Sequence, residues 1–210
     1  MATGPFEGRS GGPADDVAAA LRSALAQSPE LLPEGFGRPA GVLLPLIAGP
    51  GEPPSLVFTE RTADLPRHPG EISFPGGMPD PDDDDLAATA LREAREEIGI
   101  PEDAVEVLGV LEPLPTFVTG ILIVPFVGLL HERPAFVPNP AEIAEIIEVP
   151  LATLDAVETE VEYRHDEGTW IGFAYEVDGG TIWGATGRIL KGFLDVMRKE
   201  APWMLSSRAA

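Results

Sequence analysis

The amino-acid sequence predicts a layered domain of the α/β (α+β) class. Short segments rich in Val, Ile and aromatic residues, separated by Pro or Gly, are typical of strands. Longer segments place apolar residues three and four positions apart, which is typical of amphipathic helices. The two kinds of segment follow one another in an irregular order, which argues against a parallel, doubly wound sheet.

Three helices are predicted, at residues 14–27, 86–98 and 187–200. Gly99 and Pro101 are expected to end the second helix, and Asp84 or Asp85 is expected to cap its start. Because proline cannot donate a hydrogen bond to a neighbouring strand, the strand that contains Pro45 is expected at a sheet edge or bulge. Seven strands are predicted, at residues 42–47, 55–59, 105–111, 121–130, 145–149, 159–164 and 170–177.

The distribution of Gly and Pro suggests how the chain is divided. Residues 1–13 contain four Gly and two Pro, which predicts a mobile tail. Residues 14–200 are expected to form one domain, and residues 201–210 a C-terminal tail. No N-terminal targeting segment is recognisable, and the longest apolar run, residues 121–130, is about half of what spans a bilayer. We therefore expect a cytoplasmic protein that does not bind membranes.

The chain is strongly acidic, with 14 Lys and Arg against 35 Asp and Glu and a formal net charge of −21. Because nucleic acids are bound largely through cationic side chains, this charge argues against a nucleic-acid partner. A small anionic substrate remains possible if divalent cations and a few local arginines reverse the negative electrostatic field in one cleft. The absence of cysteine excludes disulfides, a thiolate nucleophile and a cysteine-bound zinc ion.

A glycine pair followed by a glutamate-rich helix is the most informative segment. At about 100° per residue, the helix at residues 86–98 places Glu93, Glu96 and Glu97 on one face. Side chains three or four residues apart approach to about 5–6 Å, close enough for carboxylates to bind a hard cation together. Gly76 and Gly77 precede them, and glycine lets a backbone carbonyl approach a metal or phosphate. The alternative interpretation is a solvated acidic face.

Residues 77–100 resemble the Nudix box, in which a glycine, five residues, a glutamate and seven residues precede the pattern REUxEExGU, with U aliphatic. Residues 92–100 read REAREEIGI and match this pattern except at Ala94, which is small. The first half departs from it, because the positions of the glutamate and the glycine fall on Asp84 and Met78. The loop after Gly77 is therefore one residue longer, and Asp83, Asp84, Asp85 or none of them replaces the missing glutamate.

The longer loop is similar to that of the coenzyme A diphosphatase branch of this family. The upstream signature of that branch approximates LLxTxRSxxLRxxxGEVxFPGG, and residues 56–77 read LVFTERTADLPRHPGEISFPGG. Thr62 replaces the usual Ser and Pro66 an Arg. Segments 124–128, 139–143 and 149–151 also agree, and the resemblance extends over residues 40–199.

This resemblance implies an α/β/α sandwich with a mixed central sheet. It also implies metal-dependent hydrolysis of a nucleoside diphosphate linkage, with Mg²⁺ or Mn²⁺ as the cofactor. Glu93, Glu96 and Glu97 would be the catalytic metal ligands, and the Gly77 carbonyl a further ligand. Arg92 is interpreted as an orienting partner of these glutamates rather than a substrate ligand.

Residues outside the box complete the expected site. Glu142 matches a family position and is a candidate catalytic base or further ligand, with Glu145 as its competitor. Contacts with the substrate are expected from residues that lead into the glycine pair, namely Arg61, Arg67, Phe74 and Gly76.

The resemblance also implies the substrate class. Coenzyme A or an acyl derivative, split into 3′,5′-ADP and a 4′-phosphopantetheine product, is the first expectation. ADP-ribose or a dinucleotide such as NADH is the alternative within the same chemistry, and a Nudix-fold module that binds a nucleotide without cutting it is the alternative of another class. A homodimer is left open.

Overall fold

The computed structural model describes residues 13–28, 38–50, 52–63, 69–116, 120–165 and 168–206. Within these ranges the α-helices are α1 (Pro13–Ala24), α2 (Leu86–Ile98), α3 (Leu151–Val157) and α4 (Gly184–Glu200). Two 3₁₀ helices cover Glu102–Ala104 and Pro202–Leu205. The strands are β1 (Pro39–Ile47), β2 (Ser55–Arg61), β3 (Ile72–Ser73), β4 (Gly76–Gly77), β5 (Glu106–Val110), β6 (Leu114–Pro115), β7 (Leu122–Leu130), β8 (Ile143–Pro150), β9 (Glu158–His165), β10 (Gly168–Val177) and β11 (Gly180–Ile182).

The larger sheet has the strand order β3-β2-β1-β7-β5 and is mixed. β1 and β7 are parallel along their whole length, whereas β2, β4 and β5 pair antiparallel with their neighbours. β6 pairs with β7, and β8 pairs with β2. The smaller sheet is an antiparallel set in the order β11-β10-β9.

Helices cover both faces of the larger sheet. The face toward α2 is an apolar cluster that includes Leu43, Val57, Ala90 and Ala94. The opposite face is a larger cluster shared with α1 and α4, which includes Leu21, Leu46, Phe58 and Phe193. This arrangement confirms the expected α/β/α sandwich with a mixed central sheet. Met204 of the second 3₁₀ helix is also buried in the larger cluster.

The predicted helix at residues 86–98 is confirmed, and the local signals explain its ends. The Asp85 side chain accepts a hydrogen bond from the Ala88 N–H at 2.8 Å, so Asp85 is the N-cap. Gly99 ends the helix in the left-handed region, with φ of 75°. The other two helices differ from the prediction in length: α1 ends at Ala24 instead of residue 27, and α4 begins at Gly184 instead of residue 187.

The predicted edge position of the strand containing Pro45 is wrong, because β1 lies in the centre of the sheet. The N–H of Leu43 donates to Pro75 O at 2.9 Å, on the edge of β1 that faces β4 and β2. Since successive N–H groups alternate between the two edges of a strand, the nitrogen of Pro45 faces that same edge. Pro45 lies where pairing with β4 has ended and pairing with β2 has not begun. The missing donor therefore falls in a gap between two partner strands.

No helix in the described part of the chain combines the length and the hydropathy that a membrane span requires.

Candidate active site

The N-terminal end of α2 packs closely on β1 and β4. A Cβ atom on Gly41 of β1 would overlap the Leu86 carbonyl oxygen at the start of the helix. Gly41 and Val42 pair with Gly77 and Gly76 of β4. The glutamate face of α2 is therefore held against the glycine pair.

Two glutamates reach this glycine pair directly. A Cβ atom on Gly77 would lie 2.5 Å from Oε1 of Glu93, so only glycine leaves room for that carboxylate. The Gly76 N–H donates to Oε2 of Glu97 at 3.2 Å. Gly76, Gly77, Glu93 and Glu97, all predicted site residues, are thus brought together.

Arg92 joins the helix to the loop that precedes it. Its Nε and one terminal nitrogen donate to the two carboxylate oxygens of Asp83 at 2.9 and 3.0 Å. The same terminal nitrogen also donates to the Met78 carbonyl oxygen at 3.1 Å. These bonds hold the pKa of the Asp83 carboxyl well below its usual range and raise the pKa of Arg92. Among the three aspartates considered for the missing box glutamate, Asp83 is the one that pairs with Arg92.

The remaining terminal nitrogen of Arg92 contacts the glutamate cluster. It donates to Glu93 Oε1 at 2.9 Å and to Glu96 Oε2 at 3.2 Å. Glu96 also pairs with Arg95 at 3.3 Å and is half exposed. Glu96 therefore lies on the outer, solvated side of the cluster, whereas Glu93 and Glu97 face inward.

Glu97 is the most buried of the three glutamates, at 4% exposure. Burial raises its pKa to about 7, against the opposing hydrogen bond from Gly76. The nearby charges of Glu93 and Glu142 raise the pKa further, and Arg61 lowers it. Burial likewise raises the pKa of Glu93, with Arg92 acting in the opposite direction. Glu93 and Glu97 therefore place more negative charge in this poorly solvated position than the nearby arginines balance.

Arg61 lies at the end of β2, beside a register shift in its pairing with β8. One terminal nitrogen stands 3.8 Å from Glu97 Oε1. Its Nε is buried, and no described residue supplies a hydrogen-bond partner for it. Arg61 therefore presents a donor beside the carboxylates. Arg67, the other arginine predicted to contact substrate, lies outside the described residues.

Glu142 lies on the turn that precedes β8. Its charge raises the pKa of both Glu93 and Glu97, so its carboxylate lies within electrostatic reach of the two. Glu145, the competing candidate, has an exposed side chain, and its backbone lies opposite Glu60 in the pairing of β8 with β2. Of the two candidates, Glu142 is therefore the one whose charge acts on both inner glutamates.

Phe74 does not lie among these carboxylates. It is buried in the core on the face of the sheet opposite α2, where its ring stacks on Phe58 at 4.6 Å. Phe74 also lines a cavity of about 80 Å³, together with Val42, Ser73, Ile123, Thr186 and Ile189.

The donor set fits a hard divalent cation. The inner side chains offer only carboxylate oxygens, which suit Mg²⁺ or Mn²⁺, and their mutual repulsion is what such a cation would relieve. Within the described residues, no three acidic or histidine side chains already stand at the spacing of a formed metal centre. Arg92 bridges Glu93 and Glu96, and Glu97 is turned to the Gly76 N–H. A cation bound here would compete with these hydrogen bonds for the carboxylate oxygens.

Comparison with known proteins agrees with this geometry. A family profile described as the NUDIX domain matches residues 37–170. The chain belongs to the Nudix family. A protein described as an uncharacterized Nudix hydrolase, NudL, from Pectobacterium atrosepticum is 47% identical over 123 residues, which cover 59% of this chain and 62% of that protein. A relative of the same description from Enterobacter sp. is 35% identical over 159 residues, covering 73% of this chain and 80% of the relative.

This Nudix chain spans about 60% of the length of the first relatives it matches. Among solved structures, a MutT/nudix family protein from Enterococcus faecalis superposes with a TM-score of 0.49 at 15% identity, covering 80% of this chain and 66% of that one.

Some residues beside Glu142 and in the cavity lined by Phe74 were not predicted from the sequence. Asn139 was noted only within a matching segment, although an Asn-Pro pair is itself a turn signal. Ser73 and Thr186 of the cavity were not singled out, because an isolated hydroxyl on a strand or helix gives no pattern in the sequence.

Proposed function

We propose that this protein hydrolyses the diphosphate linkage of a nucleoside diphosphate derivative with the help of Mg²⁺ or Mn²⁺. The observation that supports this best is the position of Glu93 and Glu97 directly at the glycine pair, with the charge of Glu142 within electrostatic reach of both. Burial is unfavourable for the charges of Glu93 and Glu97, and Glu142 adds a carboxylate from a separate segment of the chain. A structural role alone would not require this concentration of negative charge.

Each residue has a distinct proposed role. Glu93, Glu96 and Glu97 hold the cation, with the Gly77 carbonyl as a further oxygen ligand. A bound cation of this kind would polarise a phosphoryl oxygen and lower the pKa of a water molecule. Glu142 accepts the proton of the attacking water on a carboxylate oxygen. Arg61 donates from its Nε–H to a phosphate oxygen, which gives this buried donor a partner.

The charge of the whole chain is consistent with these roles. A diphosphate is repelled by a protein with a net charge of −21 unless cations stand between them. Arg92 is already bound to Asp83, Glu93 and Glu96, so it serves the glutamates and not the substrate.

We further propose coenzyme A or an acyl-coenzyme A as the substrate, with 3′,5′-ADP and a 4′-phosphopantetheine compound as products. The support is the similarity of residues 56–77 to the signature of the coenzyme A diphosphatase branch. ADP-ribose and NADH contain the same diphosphate linkage and are the alternative substrates.

Initial rates on coenzyme A, ADP-ribose and NADH, each with Mg²⁺, with Mn²⁺ and with EDTA, test this proposal. We expect every substrate that is cleaved to be cleaved with Mg²⁺ or Mn²⁺ and not with EDTA. We expect the highest kcat/KM for coenzyme A. Faster cleavage of ADP-ribose or NADH would overturn the substrate assignment only. Calorimetric binding of a nucleotide with no product formed would instead indicate the binding-module alternative.

A further inference from the structure

The turn at residues 139–142 connects Glu142 to the backbone behind Glu97. Resting on the function proposed above, we propose that Asn139 is a positioning residue that holds the Glu142 carboxylate opposite α2. Asn139 itself is not assigned any contact with substrate. Its effect on the reaction would be exerted through Glu142.

Backbone hydrogen bonds connect Asn139 to both carboxylate segments. The Asn139 N–H donates to the Glu97 carbonyl oxygen at 2.8 Å. The Asn139 carbonyl accepts from the Glu142 N–H at 3.0 Å and from the Ile143 N–H at 2.8 Å. One residue thus bonds to the backbone of Glu97 on one side and of Glu142 on the other.

The side chain of Asn139 stabilises the turn between these points. Its Oδ1 accepts from the Ala141 N–H at 3.1 Å, the bond of an Asx turn. Pro140 follows Asn139, and its ring holds its own φ at about −65°, which suits the same turn. The segment is therefore rigid at the residues that precede Glu142.

The far side of the turn is anchored beside Arg61. The Glu142 carbonyl accepts from the Thr62 N–H at 2.9 Å, one residue after Arg61. Upstream, the Val137 N–H donates to the Ile98 carbonyl at 3.0 Å. The turn therefore ties the C-terminal end of α2 to the end of β2, and the Glu142 side chain leaves the backbone between these two anchors.

The sequence itself suggests which substitutions of Asn139 to compare. Asn139 is the only asparagine in the sequence. The same kind of turn is made elsewhere by aspartate, since Asp80 Oδ1 accepts from the Asp82 N–H at 3.2 Å. Asn139→Asp should therefore keep the turn, whereas Asn139→Ala removes its side-chain acceptor.

A double-mutant cycle between Asn139 and Glu142 tests the positioning role, with kcat measured on the best of the three substrates under saturating Mg²⁺. We expect Asn139→Ala to lower kcat at least tenfold with KM within about threefold of wild type, and Asn139→Asp to restore most of the loss. In a Glu142→Gln background, Asn139→Ala should lower kcat less than threefold further. Equal losses in both backgrounds, no loss at all, or no recovery in Asn139→Asp would each overturn the proposal.

Amide hydrogen exchange separates this proposal from the proposed function. Asn139→Ala should speed exchange at Ala141 and Glu142, whether or not the wild-type protein turns over any of the three substrates. Unchanged exchange at both amides would overturn the positioning role by itself. Faster exchange in a protein with no diphosphatase activity would instead contradict the proposed function and leave the structural role of the turn.

Discussion

At the scale of single residues, Glu97 is a glutamate that is almost fully removed from water, at 4% exposure. It is buried against the glycine pair, and the charges around it do not balance. In the metal-free protein its pKa is raised to about 7 from an ordinary 4.5. In the unfolded chain the carboxyl ionises first, so the free energy of unfolding falls as the pH rises from about 4.5 through 7.

Replacing Glu97 with Gln should remove this loss of stability, because the amide does not ionise. Relative to wild type, we expect the metal-free Glu97→Gln variant to gain on the order of 1 to 3 kcal/mol between pH 5 and pH 8. Urea unfolding in EDTA at the two pH values measures this difference. The exposed Glu145→Gln variant is the control and should stay within about 0.5 kcal/mol of wild type. A difference for Glu97→Gln that does not grow with pH would contradict the assigned burial.

Arg92 is the second residue with an energetic prediction. Its guanidinium forms a fork to Asp83 and also bridges Glu93 and Glu96, and a lysine cannot make both sets of bonds. We expect Arg92→Lys to lower the free energy of unfolding by about 1 to 3 kcal/mol. Arg95→Lys is the matched control, since Arg95 is half exposed and should cost less than about 0.5 kcal/mol. If the two substitutions change the free energy of unfolding equally in urea, the hydrogen bonds around Arg92 do not contribute to stability.

At the scale of elements, β4 and α2 form the site because glycine permits their close contact. Gly77→Ala would place a methyl group 2.5 Å from Glu93 Oε1 and push that carboxylate away. We expect the Mg²⁺ concentration that gives the half-maximal rate to rise at least tenfold, with the fold retained. The matched control is Gly192→Ala on α4, where a Cβ meets nothing within 4 Å and should stabilise the helix by about 0.5 to 1 kcal/mol. An unchanged Mg²⁺ requirement in Gly77→Ala would contradict the role of the glycine.

Some elements could be predicted from the sequence because their signals are local. The bounds of α2 follow from Asp85, the apolar spacing and Gly99, all within the helix or beside it. The central place of β1 could not be predicted, because its partners β4, β2 and β7 are distant segments and the effect of Pro45 depends on where they pair. α3 has seven residues, and β3, β4 and β6 have two each, too few to show a periodicity.

The site shows the same division between local and distant information. The shared face of Glu93, Glu96 and Glu97 follows from helical spacing alone, but their unequal exposure depends on Arg92, Arg95 and β4. The approach of Glu142 depends on the turn at residues 139–142 and was suggested only by the family resemblance. The pairing of Asp83 with Arg92 could not be chosen over its neighbours, because consecutive aspartates are equivalent until the loop has a conformation.

At the scale of the whole molecule, the net charge of −21 makes cations part of the expected chemistry. A cation at about 100 times its Kd stabilises the folded state by about 2.7 kcal/mol, which raises Tm by about 5 to 10 °C for a chain of this size. We expect Mg²⁺ to raise Tm more than KCl at the same ionic strength. KCl controls for general screening of the acidic surface. Equal shifts with the two salts would contradict a specific cation site.

Turnover of the best nucleoside diphosphate substrate by wild type, Glu97→Gln and Glu145→Gln in the presence of Mg²⁺ tests directly whether the buried glutamates form the site of hydrolysis. We expect Glu97→Gln to lose at least about a thousandfold in kcat while its circular dichroism spectrum matches wild type, and Glu145→Gln to stay within about threefold of wild type. A folded Glu97→Gln protein that retains kcat within tenfold of wild type would contradict the assignment of these carboxylates as the site of diphosphate hydrolysis.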